Sequence, residues 1–159
     1  AVVYRGKTLY ALQELDAALA DLTKSIDSKN RRAKIMALDT RALIYYRQQK
    51  PEAAMRDADE AVRLEPNDSG ALNGRAYLCA LLGKDLKKGL ADIDQALQQQ
   101  PDNAAFLDTR GYLLFKQGDY EAALVDLDKA IKGGELEYQM YRQEEKRSNP
   151  GRRMNMTRE

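Results

Sequence analysis

Residues 110–130 read RGYLLFKQGDYEAALVDLDKA, and their spacing recurs about four times along the chain. In each copy an arginine precedes a small residue, and successive arginines lie 36, 34 and 35 residues apart. These pairs are Arg5-Gly6, Arg41-Ala42, Arg75-Ala76 and Arg110-Gly111. Two more small residues follow in each copy: Ala18 and Ser25, Ala54 and Ala61, Gly89 and Ala96, Ala123 and Ala130. Periods of about 20–50 residues are typical of solenoids, so the repeat decides the fold before any local pattern does.

Each unit is predicted to form two helices. The first helices are expected over Ala1–Leu12, Ala33–Gln48, Ser69–Leu82 and Asn103–Lys116. The second helices are expected over Leu15–Asp27, Pro51–Leu64, Leu86–Gln99 and Tyr120–Ile131. Gly83 and Gly118 suit helix C-termini, and Pro51 suits the first turn of a second helix. Pro66-Asn67-Asp68 and Pro101-Asp102-Asn103 end one helix and offer a cap to the next.

The small residues indicate close helix packing. Gly6, Ala42, Ala76 and Gly111 fall in the middle of first helices, where a close crossing with the second helix would exclude bulk. The arginine lies 16 residues before a downstream aspartate in three units and 17 before it in the third. The additional residue is expected in Gly83-Lys84-Asp85, because a loop absorbs one residue easily. In a helix it would rotate the packed face by about 100°.

These residues resemble the tetratricopeptide repeat. The fourth unit matches through Gly111, Leu114, Gln117-Gly118-Asp119-Tyr120, Ala123, Leu127 and Ala130. The second and third match through Ala42, Tyr45, Ala54, Ala61 and Pro66 and through Ala76, Gly83, Ala96 and Pro101, and the first keeps Gly6, Leu9, Ala18 and Leu22. The resemblance implies an all-α, right-handed superhelical solenoid of antiparallel helix pairs. The units are placed at 1–32, 33–68, 69–103 and 104–134.

The resemblance also implies a concave groove, lined by the first helices, that holds a peptide or a partner protein. The residues expected on its surface are Lys7, Tyr10, Asp39, Leu43, Tyr46, Asn73, Tyr77, Asp108, Tyr112 and Phe115, with Arg47 and Lys116 near the edge. An alternative is that Tyr46, Tyr77, Tyr112 and Phe115 only pack between repeats. Some members of the family clamp a C-terminal carboxylate, but the matching positions here are Val3, Lys7, Thr40, Gly70 and Gly74. A clamp is therefore not expected.

Two series of charged residues repeat with the units. Each arginine of the four copies is followed, 16 or 17 residues later, by an aspartate: Asp21, Asp57, Asp92 and Asp126. We expect structural ion pairs, within units or across neighbouring units; the alternative is an arginine ladder that binds anions. The further acids Asp59, Asp94 and Asp128 lie two positions on, where helical residues do not face each other, so a metal site is not expected.

Composition narrows the function classes. The chain carries 26 basic and 25 acidic residues, no histidine and a single cysteine, Cys79. Balanced charge argues against general binding of nucleic acid or membrane surfaces. The absence of histidine excludes His-based acid–base catalysis and an ordinary His/Cys metal site. No cofactor is expected, and no nucleophile–base pair or phosphate loop is present.

The ends of the chain differ from the repeats. The chain begins at Ala1, within a helical pattern, and we expect it to be a fragment. After Gly133-Gly134, residues 135–147 are expected to form a capping helix or, alternatively, the start of a fifth repeat. Residues 148–159 are expected to be a basic flexible tail. An alternative is that the tail docks on another copy through Met154 and Met156.

The sequence therefore favours a non-catalytic scaffold or adaptor that binds a peptide or partner protein. The second hypothesis is a structural subunit that forms homo-oligomers through repeat edges or the tail. An enzyme is the third, and RNA binding is weaker still, because acids match the basic residues throughout.

Overall fold

The structure, a computed structural model, describes the backbone of residues 1–148 and the side chains of residues 1–135. Eight helices and no strand form this part of the chain. The helices are α1 (Val2–Ala11), α2 (Leu15–Ile26), α3 (Arg31–Arg47), α4 (Pro51–Leu64), α5 (Ser69–Leu82), α6 (Leu86–Gln99), α7 (Ala104–Gln117) and α8 (Tyr120–Ser148). The predicted all-α solenoid of helix pairs is confirmed.

Side-chain caps set the starts of three first helices. Asn30, Asp68 and Asn103 each accept a hydrogen bond from a backbone N–H in the first turn of α3, α5 and α7. Because Asn30 caps α3, this helix starts at Arg31, two residues earlier than predicted. Gly83 and Gly118 end α5 and α7 in the left-handed conformation, with φ of 62° and 91°. The predicted caps at Asp68 and Asn103 and the predicted helix ends at Gly83 and Gly118 are confirmed, whereas the cap at Asn30 was not predicted.

Each helix packs on its partner within a unit and on the next unit. The predicted close crossing is confirmed most clearly at Gly111, where a Cβ atom would lie 2.7 Å from Cγ of Leu127. Three residues separate α5 from α6, as they also separate α1 from α2 and α3 from α4, whereas two residues separate α7 from α8. Relative to the fourth unit, the additional residue of the third unit lies in the turn Gly83–Asp85, as predicted; relative to the first two units, it instead lengthens the end of α5 by one residue. None of the described helices is long and apolar enough to cross a membrane.

Helix α8 continues past the predicted end of the fourth unit. It runs from Tyr120 to Ser148 without a break at Gly133-Gly134, so the segment 135–147 is helical but is not a separate helix. Neither glycine has a positive φ, and glycine inside a helix costs about 1 kcal/mol without forcing an end. The capping role of residues 135–147 stays a prediction. Apart from Ser148, the predicted tail lies outside the described residues.

Candidate peptide-binding groove

The first helices form the inner layer of the solenoid. Each of α1, α3, α5 and α7 contacts the next one in order, whereas the second helices of the described part contact only first helices. A row of helices that touch one another lies at a smaller radius than a row that does not, so the first helices line the concave side. All ten predicted groove residues lie on this inner row: Lys7 and Tyr10 on α1, Asp39, Leu43 and Tyr46 on α3, Asn73 and Tyr77 on α5, and Asp108, Tyr112 and Phe115 on α7.

Four half-buried tyrosines, one from each unit, lie near one another on this layer: Tyr10, Tyr46, Tyr77 and Tyr112. We call them the tyrosine row. The rings of Tyr77 and Tyr112 pack at a tilt, with 6.4 Å between their centroids. Burial raises the pKa of Tyr77, and the neighbouring Tyr112, Asp108, Tyr10 and Tyr46 raise it further. Tyr77, on α5, therefore has ionisable neighbours from each of the other three first helices.

Two basic side chains cover the ends of the row. The guanidinium of Arg47, on α3, lies 4.8 Å from the centre of the Tyr10 ring on α1. The ammonium of Lys116 lies 5.3 Å from the centre of the Tyr112 ring on the same helix. Both distances are typical of cation–π contacts, which contribute about 0.5–1 kcal/mol at exposed sites. Arg47 and Lys116 thus contact the first and the last tyrosine of the row; their place at the edge of a binding groove stays a prediction.

Polar side chains with buried acceptors lie beside the tyrosines. Oδ1 of Asp39 and Oδ1 of Asn73 are buried and have no hydrogen-bond donor among the described residues. Burial raises the pKa of Asp39 to about 7; Asp68 adds to this rise, and Lys7 opposes it. Gly74 leaves the space for Asp39, since a Cβ atom there would lie 3.0 Å from Oδ1 of Asp39. An ionisable group in the groove therefore titrates near neutral pH.

A cavity opens beside Asp39, between the start of α3 and the turn before α5. Its volume is about 680 Å³, and Met36 and Gly70 are among the residues that line it. Its charged residues are Arg32, Asp39, Glu65 and Asp68. Three acids against one base make this end of the groove acidic when Asp39 is ionised.

Two predicted residues stand apart from the row. Phe115 is exposed and packs against Tyr120 of α8, with 5.6 Å between ring centroids, at the turn between the two helices. Leu43 is half-buried on α3. The alternative that the aromatic residues pack between repeats holds in part, because Tyr77 and Tyr112 touch across two units while both remain half-buried.

The repeated arginines form structural ion pairs within the units. Nε and Nη2 of each arginine donate to the two carboxylate oxygens of the aspartate in its own unit, at 2.5–2.9 Å. These bidentate pairs join Arg5 to Asp21, Arg41 to Asp57, Arg75 to Asp92 and Arg110 to Asp126. All four aspartates are buried, and the hydrogen bond from Arg5 lowers the pKa of Asp21. Because these guanidinium groups already donate to carboxylates of the chain, the alternative of an arginine ladder that binds anions is disfavoured.

A second contact links neighbouring units, and its residues could not be told from the sequence pattern alone. Nη1 of Arg75 donates to Asp59 and Nη1 of Arg110 donates to Asp94, each at 3.0 Å. Both acceptors belong to the preceding unit and lie two residues after its paired aspartate. In the sequence, the signal for this contact is the acid that recurs two residues after the paired aspartate.

Comparisons with known proteins agree with this architecture. Two family models of the tetratricopeptide repeat match residues 35–68 and 85–136, which together make up more than half of the chain. No curated protein matches it.

Solved structures of MamA are similar in fold. MamA AMB-1 aligns with a TM-score of 0.57 and 17% identity, over 82% of this chain and 70% of that protein. MamA MSR-1 aligns with a TM-score of 0.60 and 18% identity, over 86% and 76%. A third MamA crystal structure gives a TM-score of 0.62 and 16% identity, over 87% and 74%. At these identities the likeness shows the fold alone. From its repeat matches and its paired helices, the chain belongs to the tetratricopeptide repeat family.

Proposed function

We propose that this chain is a non-catalytic scaffold that binds a peptide or a partner protein along the tyrosine row. The observation that carries the proposal is that four half-buried tyrosines, one from each unit, lie near one another on the first helices, which contact one another in order. Tyrosine is enriched at protein interfaces because its ring supplies apolar area and its hydroxyl supplies a hydrogen bond. Repeats of this family generally mediate protein–protein interactions, which supports the same assignment.

The polar groups of the groove favour a particular kind of ligand. Asp39 and Asp108 provide carboxylates, whereas Lys7 and, on the rings of the row, Arg47 and Lys116 provide basic groups, so the surface carries charges of both signs. The unpaired acceptors of Asp39 and Asn73 favour ligand groups that donate hydrogen bonds. We infer that the ligand is an extended segment with apolar or aromatic side chains and some hydrogen-bond donors. A strongly acidic peptide fits this groove less well.

Affinity capture with the purified chain tests the proposal. The double variant Tyr77→Ala/Tyr112→Ala removes two rings of the row, and Tyr120→Ala removes an exposed tyrosine from α8 as a matched control. We expect wild type and Tyr120→Ala to capture the same partner, identified by mass spectrometry, and the double variant to lose it. Circular dichroism must show that all three proteins have the same helix content. Equal capture by the folded double variant would mean that the partner does not bind along the tyrosine row.

Self-assembly is the second candidate function. It is favoured by exposed apolar side chains on α8, which include Leu124, Val125 and Ile131. These residues lie on the last helix pair and not in the groove, so the two functions use separate surfaces.

A further inference from the structure

A carboxylate oxygen without a hydrogen-bond donor lies beside a cavity between the second and third units. Oδ1 of Asp39 is buried, and no described residue donates to it. Asp39, on α3, lines the cavity of about 680 Å³ that opens between the start of this helix and the turn before α5. Both units have another unit on either side, so the cavity lies away from the two ends of the stack. Because a buried acceptor that lacks a donor is costly, Asp39 is suited to a donor that a ligand brings.

The other acids of the cavity already have partners. Oδ1 of Asp68 accepts a hydrogen bond of 2.8 Å from the backbone N–H of Ala71, as the cap of α5. Oε1 of Glu65 accepts one of 3.0 Å from Nη1 of Arg31. Among the acids that line the cavity, Asp39 alone has a buried oxygen to which no described residue donates.

The basic side chains nearby do not pair with Asp39. Lys7, on α1, and Arg32, on α3, are both exposed, and neither donates to it. Lys7 lowers the pKa of Asp39, but burial and Asp68 outweigh this effect and raise the pKa to about 7. Among the described residues, Lys7, Arg32, Glu65 and Asp68 are the charged groups that face Asp39 or line its cavity. The cations of the chain therefore do not compensate the buried carboxylate.

Two glycines on one face of α5 leave space beside this carboxylate. Gly70 and Gly74 lie four residues apart, so they are neighbours on the helix surface. Gly70 lines the cavity, and a Cβ atom at Gly74 would lie 3.0 Å from Oδ1 of Asp39. At the same two positions of the preceding unit, α3 carries the larger side chains of Met36 and Thr40. Helix α5 thus leaves room for a side chain of a ligand next to Asp39.

The lining of the cavity matches a long basic side chain. Ile35 and Met36 offer apolar contacts to its methylene stem, and Asp39 accepts a charge-assisted hydrogen bond from its end. We propose that the segment bound in the groove inserts a lysine or arginine side chain into this cavity, where its ammonium or guanidinium donates to Oδ1 of Asp39. The inference rests on the proposed function, because it specifies one side chain of the segment that binds there.

This ion pair makes binding depend on pH. With a pKa of about 7, Asp39 is about nine-tenths protonated at pH 6 and about nine-tenths ionised at pH 8. The basic side chain of the ligand pairs with the ionised form, so the apparent affinity scales with the population of that form. We therefore expect binding to be about tenfold weaker at pH 6 than at pH 8.

A peptide array probed with the full chain tests the inference. Its short peptides carry lysine, arginine, norleucine or glutamate at the centre and varied neutral residues, including aromatic ones, at the other positions. Norleucine is the matched control, because it keeps the apolar stem of lysine without the charge. We expect the strongest binders to carry lysine or arginine, and the comparison of these two sets shows which of them the cavity prefers. Fluorescence anisotropy then measures the affinity of the strongest basic peptides at pH 6 and pH 8.

Two variants of the chain assign the effect to one carboxylate. Asp39→Asn keeps the shape of the side chain and removes its charge. We expect it to bind the basic peptides at pH 8 no better than the wild type does at pH 6, and to show no difference between the two pH values. Asp16→Asn makes the same charge change on the exposed surface of α2 and should bind like the wild type. Circular dichroism checks that both variants are folded.

Several results would overturn the inference. One is equal binding of norleucine-centred and basic peptides. Another is an Asp39→Asn variant that binds the basic peptides like the wild type, as it would if a donor from another part of the chain occupied the cavity, or that keeps the pH dependence. In these cases the proposed function still stands if Tyr77→Ala/Tyr112→Ala loses the bound peptides. An array on which no peptide binds would also overturn the inference, and partner capture would then decide the proposed function separately.

Discussion

At the scale of single residues, removing one partner of an inner ion pair is expected to lower stability strongly. Arg75 and Asp92 are largely buried, so Arg75→Ala leaves a buried carboxylate with reduced compensation. We expect a loss of about 2–3 kcal/mol in the free energy of unfolding, below the roughly 3–5 kcal/mol for a fully buried pair because some solvent reaches the site. Urea denaturation measures it.

The control for this prediction is Arg63→Ala. Arg63 pairs with Glu60 on the surface of α4, and we expect no measurable change. If Arg75→Ala left the free energy of unfolding unchanged but abolished ligand binding, the structural role would be contradicted. The alternative, that the arginines bind anions, would then be favoured.

The raised pKa of Asp39 predicts a stability that depends on pH. An unperturbed aspartate has a pKa of about 3.9, whereas Asp39 has a pKa of about 7 in the folded chain. The folded state therefore holds a proton that the unfolded state has lost between about pH 4 and pH 7. Stability falls as the pH rises through this window, and the penalty is complete above it.

Asp39→Asn removes this penalty and keeps the shape of the side chain, and the next unit already carries Asn73 at the equivalent position. One pKa unit corresponds to about 1.4 kcal/mol, and solvent at this half-buried side chain reduces the effect, so we expect a gain of about 1–3 kcal/mol at pH 8. At pH 4 we expect little change. Thermal melts at both pH values test it. Asp108→Asn, at the exposed equivalent position, is the control, and an equal gain at both pH values would contradict the prediction.

At the scale of helices, two glycines are predicted to respond in opposite directions to the same substitution. A Cβ atom at Gly111 would lie 2.7 Å from Cγ of Leu127, so Gly111→Ala should lower the free energy of unfolding by about 1–2 kcal/mol despite the better helix propensity. Gly134 lies in α8 with open space around its Cα among the described residues, so Gly134→Ala should raise it by about 0.5–1 kcal/mol.

Urea denaturation and far-ultraviolet circular dichroism measure both effects. Stabilisation by Gly111→Ala would contradict the close crossing of α7 and α8. Destabilisation by Gly134→Ala would contradict a continuous α8.

Most helix bounds could be predicted from local sequence, because the signals that set them are local. Asp68 and Asn103 cap the next helix through atoms within three residues, and Gly83 and Gly118 end helices through their own φ. Asn30 caps α3 in the same way, but this cap was missed, so the start of α3 was predicted two residues late. The continuity of α8 could not be predicted in this way. A glycine pair permits either a helix or a turn, and because the next proline is Pro150, the local sequence gives no reason for the helix to stop at Gly134.

At the scale of the whole molecule, the period predicted the solenoid, and the resemblance to the tetratricopeptide repeat implied that the first helices form its inner row. Contacts between side chains of different units could be predicted less well from the sequence. The packing of Arg47 on Tyr10 joins residues 37 positions apart and depends on how far α3 is rotated about its axis. Phe115 follows the same helical spacing as the tyrosines, yet it packs on Tyr120, because it lies close to the turn at the end of α7.

Site-specific photocrosslinking tests most directly whether a partner binds along the tyrosine row. A photoreactive phenylalanine analogue would replace Tyr112 in one protein and Tyr120 in another, and each would be irradiated with the captured partner. We expect a covalent adduct of chain and partner from position 112 and none from position 120. An adduct from position 120 alone would contradict the claim and place the partner outside the groove.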